Sequence, residues 1–449
     1  MIEDWLSAAA AVDPDRTFLM IDGATYSFAE VDDRAARMAG GLLDFGVSGG
    51  DRVALWANND LSTIVAIFAI WRAGAACVLV NTRLTEPEVV DQLAESAASF
   101  IVDPLGREWS VPSIHPELAG QPHRGRLHEP TSECLIVFTS GSDGRGRGVV
   151  LSWGNLDAGQ AASARHLGHT SEDVWLAVLP MFHVGGAAIL IRCAARRSAV
   201  LLHDRFEPEE VAAGLDQVTL ASFVATQLAA VLDLDERPYD VRAVLVGGGP
   251  AGQSLLDRAY ARGLGVLSTY GMTEAGSQIA TSVVGEPPRR LVVPIPGASM
   301  RLVNGNEIQV RGPMVTGTYL DAPAHSDDGW FITGDLGEYA DGGFRITGRT
   351  SDVIISGGEN VMAGEVKEAL ESLDLVRAAA VVGLPDVTWG EVVAAAVELS
   401  GEVSFDELSD QLRATLAGYK IPKAWRSVES LPRTSLGKVR RQAVRNLFA

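Results

Sequence analysis

The chain has 449 residues, 47% of them hydrophobic, with 37 basic and 57 acidic side chains and a formal net charge of −20. At roughly 150 residues per domain this supports a large buried core spread over two to three domains, and it excludes a disordered or fibrous chain. The acidic balance argues against a nucleic-acid binder, which needs a dominant basic surface, but leaves room for a local pocket that takes a small anion.

From Thr17 to Val80 short apolar runs alternate with amphipathic stretches: Phe18 to Met20, Phe28 to Phe45, Val53 to Trp56, Leu61 to Ile70, Cys77 to Val80. Strands separated by helices of this length predict a layered α/β domain. The alternation returns at Ile136 to Phe138, Val174 to Val178, Ala199 to Leu202, Ala221 to Val224 and Ala243 to Val246, so one large α/β region is expected to about residue 280. Beyond Pro287 the segments shorten, with Met300 to Val303, a tight hairpin at Asn304-Gly305, Glu307 to Val310, Gly317 to Leu320 and Phe344 to Ile346, which predicts a small β subdomain. Helical patterns at Ala363 to Leu373 and Phe405 to Leu416 around strand-like Ala378 to Val382 and Glu391 to Leu399 predict a compact C-terminal α+β domain. The expected division is 1–350, with the β subdomain at about 287–347, and 351–449.

Cys77, Cys134 and Cys193 are an odd, widely spaced set with neither a disulfide framework nor a zinc spacing, which places the expected compartment in the reducing cytoplasm. The N-terminus is acidic where a signal peptide is basic, and the longest apolar stretch, Thr63 to Val80, is broken by Arg72. No export signal and no membrane span are expected.

Three segments can carry chemistry. Thr139-Ser140-Gly141-Ser142-Asp143-Gly144-Arg145-Gly146-Arg147-Gly148 is the densest in glycine; bare backbone N–H groups, the hydroxyls of Thr139, Ser140 and Ser142 and the charge of Arg145 and Arg147 suit a polyphosphate, although a plain surface hairpin explains a glycine-rich loop equally well. It lacks the Lys-Ser/Thr of a P-loop. Gly247-Gly248-Gly249-Pro250-Ala251-Gly252 satisfies G-x-G-x-x-G, but Pro250 inside the turn and the missing acidic residue downstream disfavour a dinucleotide site; a glycine turn lying flat on an adenine ring fits as well. In Tyr270-Gly271-Met272-Thr273-Glu274, an aromatic face for a base, a hydroxyl for a phosphate oxygen and a carboxylate for Mg²⁺ fall within five residues. Asp335 and Arg349 add a carboxylate for ribose hydroxyls and a cation for ribose or phosphate. His166 and His169 share a helical face, but no third zinc ligand is evident.

These motifs, with Gly348-Arg349-Thr350-Ser351-Asp352, Ser356-Gly357-Gly358-Glu359-Asn360 and Pro432-Arg433-Thr434-Ser435-Leu436-Gly437-Lys438, resemble in collinear order the adenylate-forming superfamily of acyl-CoA synthetases, luciferases and peptide-synthetase adenylation domains. The resemblance implies that a carboxylate attacks the α-phosphate of ATP, giving an acyl-adenylate and pyrophosphate, and that a thiol, here of coenzyme A, then displaces AMP. It implies that Lys438 is the adenylation lysine and Thr273 and Glu274 serve the phosphate and the metal. It further implies that Ser351 is the hinge of a mobile C-terminal domain, and that Gly357 and Gly358 line a pantetheine tunnel. Three departures stand in the phosphate loop: Asp143 for a threonine, Gly146 for the proline and Arg147 for the lysine.

Leu179-Pro180-Met181-Phe182-His183-Val184-Gly185-Gly186, Ile191-Arg192 and Thr273-Glu274-Ala275-Gly276-Ser277-Gln278 are most similar to the o-succinylbenzoate-CoA ligases of menaquinone biosynthesis. That likeness implies a pocket for a dicarboxylate, with Arg192 on the second carboxylate and His183, Ser277 and Gln278 lining the acyl site. Arg192 read alone is equally a solvent-facing helix arginine, as Arg196 and Arg197 are expected to be. Another aryl or fatty acyl-CoA synthetase remains open, as does a freestanding adenylation enzyme that loads a separate carrier protein, the chain ending eleven residues after Lys438. So does an inactive adenylate-binding homologue, motivated by Asp143. The expected partners are a small carboxylic acid, ATP, Mg²⁺ and coenzyme A, with a homo-oligomer left open.

Overall fold

The computed structural model describes every residue except 126, 140–146, 235, 305, 324–327, 357–358, 435–436 and 438, and all side chains of the rest but those of 351 and 360. It separates into two compact units, Met1–Met300 with Val310–Phe331, and Arg301–Gln309 with Ile332–Ala449. The chain therefore crosses between units more often than the single boundary expected after residue 350.

The first unit is the layered α/β region. One sheet runs Gly148–Ser152, Glu133–Phe138, Ala76–Val80, Arg52–Trp56, Phe100–Val102, Ser113–Ile114; a longer one runs Val293–Pro294, Ser277–Thr281, Leu264–Met272, Val241–Gly247, Leu220–Val224, Val174–Ala177, Ala199–Leu202, Thr17–Ile21, Ala24–Ser27. Strands such as Ala76–Val80, buried at every position, are parallel to their neighbours because helices cover both faces. The helix Phe28–Phe45 shows how local sequence sets an element: Ser27 and Glu30 close a capping box at its start, and Gly46 ends it at φ 112°. The helices Trp5–Val12, Phe28–Phe45 and Leu61–Arg72 meet around a wholly buried guanidinium: Arg72 Nε donates to Asp4 Oδ2 (3.0 Å) and Nη2 to Asp32 Oδ1 (2.6 Å). Trp5, Trp71 and Trp153 pack beside this network with ring centroids 4.8 to 5.9 Å apart.

The parallel strands Leu220–Val224, Val241–Gly247 and Leu264–Met272 end at the same edge, in the glycine turn after Gly247 and in the Tyr270 to Glu274 segment. The carboxyl ends of such strands are where α/β sheets place ligands. Glu133–Phe138 and Gly148–Ser152 pair antiparallel, Phe138 opposite Gly148, so the glycine-rich loop is the connection of a β-hairpin.

The second unit carries a four-stranded sheet, Ser299–Val303, Glu307–Arg311, Phe331–Ala340, Gly343–Arg349, and a five-stranded one in which Val376–Asp386 and Gly390–Leu399 form the long central hairpin. The expected turn after Val303 is present, with Asn304 and Asn306 at positive φ, while Gly305 lies outside the described residues. One expectation is corrected: Gly317 to Leu320 forms no strand of the small β region. It belongs to the first unit, where Tyr319 makes an isolated bridge with Val149 and Leu320 N–H donates to Gly148 O (2.9 Å). The strand-like run Thr318, Tyr319 and Leu320 pairs with an existing strand, Gly148–Ser152, and not with a new sheet. Among the described residues no helix is long and apolar enough to cross a membrane.

Candidate active site

In the first unit the base of the glycine-rich loop is closed by two residues. Thr139 N–H donates to Arg147 O (3.0 Å) and Arg147 N–H to Thr139 Oγ1 (3.4 Å), which holds both strand ends together. Ser140, Gly141, Ser142 and Gly144 lie outside the described residues. The Arg147 guanidinium lies 3.8 Å from the centroid of the Tyr319 ring and reaches Asp321 Oδ1 at 3.3 Å.

Gly248, Gly249 and Pro250 are exposed at the carboxyl end of Val241–Gly247. Gly248 holds φ +75° and a Cβ on Gly249 would meet nothing within 4 Å, so this turn presents bare backbone with room for a flat ring. Tyr270 is buried on the neighbouring strand. Gly271 has no alternative, because a Cβ there would come within 1.9 Å of Ser277 O. Ser277 itself sits at φ 110°, a costly conformation for a side-chain-bearing residue and one that clusters at functional sites.

Thr273 and Glu274 occupy a single helical turn, Thr273–Ala275, directly after the strand. The Tyr319 hydroxyl donates to Glu274 Oε1 (2.8 Å), and Thr316 N–H donates to Glu274 O (2.7 Å). No cluster of three or more His, Cys, Asp or Glu able to cage a metal occurs among the described residues. A half-buried carboxylate such as that of Glu274 instead fits Mg²⁺, which keeps most of its waters and takes one or two carboxylates together with phosphate oxygens.

His183 caps the helix Val184–Arg196, and its loop is fixed from behind by Asn59, whose Nδ2 donates to Leu179 O (3.2 Å) and whose Oδ1 accepts from Met181 N–H (2.8 Å). On the same helix Arg192 is only 4% exposed, and none of the described carboxylates pairs with it. Its guanidinium stands 5.5 Å from the Trp175 ring centroid, and burial pushes its pKa down to about 10. The solvent-facing alternative is thus excluded. Arg196 is not simply solvated either, since its Nη2 donates to Gln160 Oε1 (3.1 Å) and its Nε is buried. Gln278 is committed within the protein: Oε1 accepts from Ser163 Oγ (2.7 Å) and Nε2 donates to Thr281 Oγ1 (2.5 Å). His166 and His169 bind different partners, Ser282 O and Ser198 Oγ.

In the second unit Asp335 and Arg349 face each other across paired strands, Arg349 Nε donating to Asp335 Oδ1 at 2.7 Å. Gly334 at φ +68° and Thr333 Oγ1, which accepts from Asp335 N–H (3.0 Å), fold the chain so that the carboxylate is presented on this strand. The turn Thr350–Asp352 follows directly. Gly357, Gly358 and Lys438 lie outside the described residues.

The family model of the AMP-binding enzymes matches residues 6–320, and that of the AMP-binding enzyme C-terminal domain matches residues 365–438. This chain belongs to the AMP-binding enzyme family. Among AMP-binding enzymes it is 34% identical to the 2-succinylbenzoate–CoA ligase of Bacillus cereus strain Q1, over 99% of this chain and 98% of the relative, and 35% identical to that of Bacillus licheniformis, over 98% of each. The o-succinylbenzoate CoA synthetase of Bacillus subtilis, solved with its acyl-adenylate intermediate, superposes with a TM-score of 0.92 at 32% identity, covering 99% of this chain and 98% of that one. ATP-bound MatB of Rhodopseudomonas palustris gives 0.93 at 26% identity, covering 100% and 99%.

The sequence reading missed Tyr319, Thr316 and Asn59 in this AMP-binding enzyme. Tyr319 lies 45 residues from Glu274, and no local pattern links them. Asn59 had a local signal, the Asn58-Asn59-Asp60 run at the carboxyl end of a parallel strand.

Proposed function

We propose that this protein is an ATP- and Mg²⁺-dependent acid–CoA ligase of the cytoplasm that converts o-succinylbenzoate to o-succinylbenzoyl-CoA through an acyl-adenylate. The observation that carries the substrate assignment is Arg192, a buried guanidinium without a carboxylate partner among the described residues. A buried cation is costly unless an anion meets it, and a planar guanidinium pairs well with a carboxylate. An acid with a second carboxylate supplies that partner. The sequence likeness to ligases of this acid, over nearly the full length of both chains, supports the same reading.

In the first step the acid's carboxylate oxygen attacks the α-phosphorus of ATP, and the bond to the bridging oxygen breaks to release pyrophosphate. Thr139, Ser140, Gly141, Ser142, Gly144 and Arg147 hold the phosphates with N–H groups, hydroxyls and charge. Thr273 bonds a phosphate oxygen, and Glu274 holds Mg²⁺, which offsets charge on the phosphate oxygens. Tyr270 and the Gly248-Gly249-Pro250 turn take the adenine, while Asp335 and Arg349 take the ribose. Lys438 stabilises the charge that grows between the α-phosphate and the leaving oxygen. In the second step the coenzyme A thiol attacks the acyl carbon and AMP leaves. Residues 351–449 turn about Ser351 between the steps, which withdraws Lys438 and brings Gly357 and Gly358 beside the pantetheine arm.

Lys438→Ala separates the two steps. The variant is expected to lose AMP-forming adenylation by about 100-fold or more, the scale of a single group stabilising transition-state charge, while still making thioester from supplied acyl-adenylate and coenzyme A. Equal loss in both half-reactions would show that Lys438 is not specific to adenylation.

A further inference from the structure

Glu274 and Arg147 belong to different segments of the first unit, and one side chain joins them. Tyr319 donates its hydroxyl to Glu274 Oε1 at 2.8 Å, and the Arg147 guanidinium lies 3.8 Å from the centroid of its ring. We propose that Tyr319 is a positioning residue of the adenylation step, which aims the metal-binding carboxylate of Glu274 with its hydroxyl and carries the phosphate-binding cation of Arg147 on its ring. The inference rests on the proposed function, in which Glu274 holds the metal and Arg147 the phosphates, and assigns Tyr319 the coupling between them.

The segment that bears Tyr319 is fastened at several points. Val150 N–H donates to Thr318 O (3.2 Å), Leu320 N–H to Gly148 O (2.9 Å) and Thr316 N–H to Glu274 O (2.7 Å), so the ring is held by strand Gly148–Ser152 and by the main chain of Glu274 itself. The hydroxyl is consequently a fixed donor. A phenol carries its proton at neutral pH, so the hydroxyl donates and the Glu274 carboxylate accepts. A donor on Oε1 leaves Oε2 as the oxygen with freedom to meet a metal, and Mg²⁺ demands near-ideal octahedral geometry from whatever ligand it takes.

The ring has the second task. Arg147 stands where the family usually has lysine, and a guanidinium, unlike an ammonium, stacks flat on an aromatic face. Its ion pair with Asp321 is half-exposed at both ends and hence weak. A triphosphate competes readily for that cation, and the Tyr319 ring keeps the guanidinium beside the loop during the exchange.

The test separates hydroxyl from ring and needs no turnover. ATP binding is measured by calorimetry at stepped Mg²⁺ without any acid, alongside the Mg²⁺ dependence of AMP formation and the thioester half-reaction from supplied acyl-adenylate. Tyr319→Phe, which keeps the ring, is expected to raise the Mg²⁺ needed for half-maximal ATP affinity about tenfold or more, on the scale of one lost charge-assisted hydrogen bond, with the KM for acid and the thioester step unchanged. Tyr319→Leu is expected to weaken ATP binding at saturating Mg²⁺ as well. Glu274→Gln, the control, is expected to shift the Mg²⁺ dependence further than Tyr319→Phe. A shift in Glu274→Gln without one in Tyr319→Phe overturns the inference and leaves the metal role of Glu274 standing; no shift in either overturns both. Equal slowing of the thioester step by Tyr319→Phe also overturns it, since only a general structural role has that effect.

Discussion

The proposed function concentrates the question of specificity in one side chain, Arg192. Its pKa, pushed down to about 10, leaves it charged at neutral pH, so the helix Val184–Arg196 buries a full positive charge against Trp175 with no described carboxylate to meet it. Arg192→Met keeps much of the volume and removes the charge. It is expected to lower kcat/KM for o-succinylbenzoate by about 30-fold or more, as loss of one partner of a buried charge pair does, and to change simple benzoates by less than about threefold. Steady-state kinetics on both acids decide it, and equal losses would move the second carboxylate elsewhere. Chain order alone left Arg192 between solvent and ligand, because orientation on a helix that is apolar nearly all round is decided by what packs on it. Tyr319 was wholly illegible for a related reason: its partner is distant in sequence, and its hydrogen bond exists only once Gly148–Ser152 has captured the segment.

At the scale of elements, most strands and helices followed from periodicity. Val53 to Trp56, Cys77 to Val80 and Ala199 to Leu202 fall within one residue of the observed strands, since runs buried on both faces need neither alternation nor a partner to be seen. Gly317 to Leu320 misled because a short strand-like run pairs as well with an existing strand as with a new sheet. Two further consequences concern how the elements are joined. Arg72→Leu leaves buried Asp4 without its cation and Asp32 with only the exposed Arg124, and is expected to cost about 3 to 5 kcal/mol in urea unfolding; a loss under about 1 kcal/mol would mean the network is dispensable. His169, at the end of helix Trp153–Leu167, is buried against Trp175 with Asp173, Arg192, Arg196 and Arg242 nearby, and its pKa is pushed down to about 4, chiefly by burial. Above pH about 6.5 the ring is neutral in folded and unfolded chains alike. As pH falls towards 4 the unfolded chain gains a proton that the folded one refuses, so stability is lost across that window, by about 2 kcal/mol at pH 5. His169→Gln is expected to remove this part of the difference between unfolding midpoints at pH 7 and pH 5, and an unchanged difference would contradict it.

At the scale of the molecule, the chain combines a large α/β unit whose strand ends carry Gly248, Tyr270 and Glu274 with a second unit that carries Asp335, Arg349 and the turn Thr350–Asp352. The order of these motifs was legible in the sequence; how the chain divides was not, because strands near 300–310 and 331–340 contribute to a sheet of the second unit before the chain finally leaves the first. If Ser351 is the pivot, Ser351→Pro, which fixes φ, is expected to preserve adenylation and slow thioester formation by an order of magnitude or more. Half-reaction assays read both, and an unaffected thioester step would move the pivot. The ligase activity itself is decided by AMP and acyl-CoA formation from ATP, Mg²⁺ and coenzyme A, with o-succinylbenzoate beside benzoates lacking the second carboxylate and fatty acids. Equal amounts of AMP and acyl-CoA are expected, with a preference of at least about 100-fold in kcat/KM for o-succinylbenzoate, as the proposed pairing of its second carboxylate with Arg192 implies. Comparable activity on the simple acids, or no AMP from any of them, would contradict the assignment.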